Sequence, residues 1–235
     1  IMRKIFTFIA ASAMVLGASA QGYEGNKFFD NWSFGIEGGA TTALRPINQP
    51  TGTSKAFQKK AFFKGVVPVA GVELTKQIIP AFGLAIQDHA IFNWTDSKTV
   101  VDVNDLTLLA KLNLMNFFGG YKGVPRTFEM EAVFGGGWRH YYAHSVNYVG
   151  YANERTFVAD GSNDRDDLIM KAGLNFLFNL GQKKAWTVAI KPAVVWDVEG
   201  FSYENVNNSR VSIHDANFEL VAGVAYHFKN SNGAN

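Results

Sequence analysis

From residue 32 onward, apolar and polar residues alternate along most of the chain. The clearest run is residues 216–228, ANFELVAGVAYHF. Phe218, Leu220, Ala222, Val224, Tyr226 and Phe228 fall on one side of an extended chain. Asn217, Glu219, Val221, Gly223, Ala225 and His227 fall on the other. This period predicts a strand with one apolar and one mostly polar face. The run is longer than an ordinary soluble strand and suits a tilted strand crossing ~25 Å of hydrocarbon.

Seven earlier segments repeat the pattern. The first begins at Trp32 and puts Trp32, Phe34, Ile36, Gly38 and Ala40 opposite Ser33, Gly35, Glu37 and Gly39. Further strands are expected at about 65–77, 82–94, 105–114, 128–139, 167–180 and 186–197. Pro68 interrupts the second, since proline cannot donate to a ladder. Asp88 falls on the apolar face of the third, which is therefore expected to be the least regular or to contain a bulge. The fourth is the cleanest of these, with Leu106, Leu108, Ala110, Leu112 and Leu114 against Asp105, Thr107, Lys111 and Asn113. Leu112 is taken as a mid-strand, lipid-facing position. Long polar loops are expected at 44–62, 95–103, 142–165 and 199–214. Turns are expected at 79–81, 116–126 and 181–184. Eight strands whose connections are long and short in alternation predict an eight-stranded antiparallel up-and-down transmembrane β-barrel. Trp32, Trp94, Trp138, Trp186 and Trp196 lie near strand ends, where an aromatic girdle belongs.

The same alternation fits a soluble barrel with its apolar face inside. The polar face decides against it. A soluble exterior needs many Lys and Glu, whereas this face has one or two charges per strand among Gly, Ala, Asn and Thr. An eight-stranded barrel is narrow and cannot enclose so many Phe and Trp. The apolar face therefore points to lipid. The inward set then includes Glu37, Glu73, Lys111, Glu129, Glu131, Arg139, Lys171, Lys191, Asp197 and Glu219. Buried charges need partners, so these are expected to pair across the lumen. A salt-bridged plug is preferred to a gated ion path.

Composition narrows the class. The chain has 235 residues and a formal net charge of +2, with 14% aromatic and 18% charged residues, 23 Gly and no Cys. This excludes a disulfide framework and thiolate metal sites, and carries no nucleic-acid signature. Residues 1–20 read as a signal peptide: a basic start at Arg3 and Lys4, a short apolar run, then Ala18-Ser19-Ala20 as a cleavage site. Residues 21–30 form a short leader, 31–229 the barrel, and 230–235 the start of a linker. The expected location is the outer membrane of a Gram-negative bacterium.

No strong catalytic or metal motif appears. His144-Ser145 has no G-x-S-x-G elbow beside it. Residues 160–167 have a calcium-loop composition without the spacing or the terminal Glu. Gly135-Gly136-Gly137 is not followed by a helix, so it reads as relief of crowding within a strand. No cofactor is expected, and the chain is not expected to be an enzyme.

Residues 26–32 (NKFFDNW), 171–176 (KAGLNF) with Lys184-Ala185-Trp186, and 226–233 (YHFKNSNG) carry a family resemblance. Over most of the mature chain the sequence resembles the OmpA-family outer-membrane proteins of Bacteroides-like bacteria. The resemblance implies an eight-stranded N-terminal barrel, followed by a linker and a periplasmic peptidoglycan-binding domain. That domain is missing from this sequence, so peptidoglycan is a partner only through it. The resemblance also implies that Tyr226 and Phe228 signal to the barrel-assembly machinery. The expected function is a structural membrane anchor of an envelope-integrity protein, with outer-membrane lipid as partner. A small-solute pore, a surface adhesin and a lipid-modifying barrel enzyme are the alternatives.

Overall fold

A computed structural model describes residues 27–44, 66–92, 100–142, 165–199 and 210–228. The alternating segments form strands, and each pairs antiparallel with its neighbours in sequence. In chain order they are β1 (Trp32–Ala43), β2 (Val67–Ile79), β3 (Phe82–Phe92), β4 (Val101–Asn113), a short helix α1 (Leu114–Gly119), β5 (Phe128–Tyr141), β6 (Arg165–Leu180), β7 (Trp186–Glu199) and β8 (Arg210–His227). β8 returns to β1 and closes the barrel. Ser33 faces His227 at one end of this seam, and Ala43 faces Asn217 at the other. Closure leaves no free sheet edge, which is what a strand protein needs where water cannot satisfy its backbone.

The short β2–β3 and β6–β7 connections lie at one end of the barrel, together with α1, Trp32 and Phe228; we call this the turn end. At the seam there, the backbone N–H of Phe228 donates to Trp32 O at 3.0 Å and that of His227 to Ala185 O at 2.8 Å. Gly135 and Gly137 are needed where β4 and β5 bend together. A Cβ at either would lie 2.0 Å from a β4 carbonyl oxygen, that of Leu108 or Leu106.

Several expected boundaries move. β4 begins at Val101 and takes in residues expected in the preceding loop; β8 begins at Arg210, likewise inside an expected loop. The expected 116–126 turn contains most of α1, and Leu114 belongs to that helix and not to β4. Asn113 starts it: the side-chain oxygen accepts from Asn116 N, which satisfies one orphan amide of the first turn. Leu112 is the penultimate residue of β4, so the mid-strand, outward position is Leu108. Asp88 stays on the outer face in regular register with Val72 and Leu106. The irregularity of the β3–β4 pair lies further on, between Ile91 and Phe92. Pro68 does no damage, because the β2–β3 ladder begins one residue later, at Val69. Pro192 costs more: the β6–β7 register runs to Gly173↔Ala193 and resumes only at Phe176↔Ile190.

Candidate functional site

Two surfaces define what the barrel can do, its outer wall and its lumen. The outer wall is apolar. Phe34, Ile36, Leu74, Ile86, Leu108, Phe134, Leu174, Ile190 and Leu220 all face outward with large exposed areas, reaching 61% for Ile36 and 57% for Leu108. An apolar surface running round the barrel far exceeds the patches that soluble monomers tolerate. Trp32, Trp138, Trp186 and Trp196 sit on this outward-facing register. Trp138 and Trp186 are exposed, and Trp186 packs on Tyr226 with ring centroids 4.9 Å apart. The indole N–H of Trp196 is buried, with no acceptor among the described residues. Trp94 lies outside the described residues.

The lumen has three levels. Its middle is an ionic layer to which all eight strands contribute. Lys111 Nζ lies 3.0 Å from Glu73 and 3.3 Å from Glu131. Lys191 Nζ lies 2.6 Å from Glu37 and 3.0 Å from Glu73. Lys171 pairs with Glu219 and donates to Gln87 Oε1 at 2.6 Å. Gln87 Nε2 in turn donates to Glu37 and Glu73. His89 bridges the two sides, with Nε2 at 3.2 Å from Glu37 and Nδ1 at 3.1 Å from Glu219. A carboxylate can only accept, so both ring nitrogens act as donors and the ring is an imidazolium. Glu37, Glu73, Glu131 and Glu219 are then balanced by Lys111, Lys171, Lys191 and His89. This balance is what buried charges require. Nearer the end opposite the turns, Arg139 and Asp105 form a separate bidentate pair at 2.6 and 2.7 Å.

Also toward that opposite end, the lumen is apolar. Val69, Ile91, Val103 and Val221 form a buried cluster, with Val67 and Tyr141 packed against it. Leu109, Val133, Ile169 and Val195 are buried as well. At the turn end lies a polar vestibule, with a cavity of about 80 Å³ that has room for a few waters. Here Thr187 Oγ1 donates to Asn179 Oδ1 at 2.6 Å, so it accepts from His227 Nε2 at 2.8 Å. Asn179 Nδ2 donates onward to Glu129 at 3.2 Å and to the Arg126 carbonyl at 2.8 Å. The chain from His227 to Glu129 ties β8, β7, β6 and β5 together at their ends. The loop after α1 partly covers the vestibule. Arg126 holds the Asn116 side chain and the carbonyls of Gly119 and Gly120. Tyr121 lies beside Glu129; burial first, then that carboxylate, raises its phenol above the ordinary value.

Of the ten inward charges expected from sequence, Glu37, Glu73, Lys111, Glu131, Lys171, Lys191 and Glu219 meet in one layer. Arg139 pairs separately with Asp105. Glu129 sits in the vestibule, where its contacts among the described residues include the neutral donors Asn116, Asn179 and the Arg126 amide. Asp197 is in β7, but its side chain lies outside the described set, as do residues 1–26, His144-Ser145, residues 160–164 and 229–235. Sequence reasoning missed His89 as the bridging cation and Gln87 as the bridging amide. It also passed over the apolar lumen cluster. Both polar residues stood on the inward register of β3, and position was the only signal they gave.

No family model and no curated protein sequence matches the chain. Among solved structures it is similar to the N-terminal β-barrel domain of Pseudomonas aeruginosa OprF, at 9% identity over 85% of this chain and 98% of that one, with a TM-score of 0.48. It is also similar to Neisserial surface protein A, at 9% identity over 84% and 97%, TM-score 0.47. A third is Ail, the attachment invasion locus protein of Yersinia pestis, at 9% identity over 85% and 100%, TM-score 0.40. At these values the likeness carries nothing about function.

Proposed function

We propose that the chain is an outer-membrane β-barrel of a Gram-negative bacterium, a structural membrane anchor of OmpA type and not a conduit. The observation that carries this reading is the lumen, where a charge-balanced ionic layer and a cluster of close-packed valine and isoleucine fill the bore. The exposed apolar wall supports insertion in lipid, because nothing else covers that area without cost. The resemblance to the OmpA family supports the anchoring role. It also supports export through a cleaved signal peptide, recognition of Tyr226 and Phe228 by the assembly machinery, and a link to peptidoglycan through a separate domain. The test is single-channel recording in planar bilayers with the folded barrel. Silent membranes are expected, and stable unitary current steps would replace the anchor with a pore.

A further inference from the structure

The two ends of the barrel differ in charge. At the turn end, among the described residues, the cations are Lys27, Lys76, Lys122, Arg126, Lys183 and Lys184, and the one carboxylate outside the lumen is Asp30. At the opposite end, among the described side chains, the acids Asp102, Asp105, Asp166 and Asp167 outnumber the one guanidinium, Arg139. The turn-end cations stand among aromatics that reach past the strands. Phe28, Phe29 and Phe118 are 71%, 82% and 80% exposed. Phe28 and Phe29 stack edge-to-face at 5.0 Å, as do Phe117 and Phe118.

This rim is held in shape. Lys76 Nζ donates to the carbonyls of Lys27 and Asp30 and lies 5.8 Å from the Trp32 ring centre, while Trp32 Nε1 donates to Phe28 O. On the far side, Lys184 Nζ reaches Thr127 Oγ1 at 3.0 Å, which sets the β6–β7 turn beside the loop that follows α1. Lys122 and Lys183 therefore project from adjoining segments, both exposed. Exposed rings next to ammonium groups at the end of an apolar wall suit the boundary between acyl chains and headgroups. The charge selects among headgroups.

We infer that the turn end is a docking surface for anionic glycerophospholipid, its phosphates held by Lys27, Lys122 and Lys183 and its upper acyl segments by the phenylalanine pairs. The inference rests on the membrane-barrel reading. It adds that the periplasmic leaflet, against which the turns would sit, is sampled by charge. Each exposed lysine contributes about fivefold to the preference for a negatively charged surface.

The experiment is native mass spectrometry of the full chain folded in neutral detergent, titrated with phosphatidylglycerol or with phosphatidylcholine of the same acyl chains. Wild type should retain phosphatidylglycerol at least tenfold better. The triple variant Lys27→Gln, Lys122→Gln, Lys183→Gln should bring the ratio near one, and Asp166→Asn at the other end should leave it unchanged. Equal retention of the two lipids by wild type would overturn the inference, as would a preference that survives the triple variant. Capture of carboxylate-bearing cell-wall fragments without phosphatidylglycerol preference would also overturn it. If the membrane-barrel reading itself is wrong, the chain will fold in buffer without detergent or lipid, and heat-modifiable gel mobility measured with and without detergent reports that separately.

Discussion

Replacing Lys111 by methionine isolates one carboxylate in the ionic layer. Lys111 is 6% exposed and holds Glu73 at 3.0 Å, Glu131 at 3.3 Å and Thr75 Oγ1 at 3.3 Å. The loss falls unequally. Glu73 keeps Lys191 at 3.0 Å, whereas Glu131 keeps, among the described residues, the Asn175 amide at 3.2 Å. Removing one partner of a buried pair costs ~3–5 kcal/mol, most of it from the charge left behind. Glu131 also borders the vestibule cavity, where water can reach it, so the lower end of that range, ~3 kcal/mol, is expected. If the abandoned charge is the cause, Glu131→Gln in the same chain should relieve it, with a coupling of ~1–3 kcal/mol in the double-mutant cycle. The assay is urea unfolding of vesicle-inserted protein, followed by tryptophan fluorescence and gel mobility, for the four members of the cycle. A cost below ~1 kcal/mol for Lys111→Met, or a double variant weaker than the single, would refute the charge-balance reasoning.

Leu108→Arg places a cation on the lipid face at mid-strand and should cost ~2–4 kcal/mol in the same unfolding assay; unchanged stability would contradict the outward facing of β4. His89→Gln offers one amide in place of two ring N–H donors, so either Glu37 or Glu219 loses a donor, and a loss of ~1–3 kcal/mol is expected; wild-type stability would argue against the imidazolium bridge. Tyr121 should ionise at higher pH than a free phenol, because burial and Glu129 favour its neutral form. The sign follows: the folded value lies above the unfolded one, so the tyrosine's contribution is complete below the ordinary phenol value and is lost as pH rises through the folded one. Comparing wild type with Tyr121→Phe by alkaline ultraviolet titration should reveal one late-titrating phenol.

The strands and their facing were legible because a half-lipid, half-lumen strand has only one pattern to obey, and Leu106, Leu108 and Ala110 obey it as plainly as Asp105, Thr107 and Lys111. Boundaries were less legible where polar loops continue as polar strand ends, as at Arg210 and Val101. α1 was hidden in a glycine-bearing turn, because a six-residue helix has too little length to show a period. The lumen was only half readable. Charge at an inward position announces that a partner exists, but not which, since pairing runs between strands far apart in sequence, as from Lys191 to Glu37. The inward Val69, Leu109, Ile169 and Val221 were harder still. A side chain inside a narrow barrel and one facing lipid can be the same residue type, and only register separates them.

The seam between β8 and its neighbours has a mechanical consequence. β8 is laddered on both sides, from Ser33↔His227 to Ala43↔Asn217 on β1 and from Trp186↔Tyr226 to Trp196↔Ala216 on β7. A tether pulling at residue 228 along the strand direction loads both ladders in shear, so the bonds share the load and must fail together instead of parting one at a time. The same pull directed sideways would peel β8 off like a zipper. A barrel whose last strand points at its load is thus strong along that strand and weak across it, a directional strength that the anchor role proposed above would use.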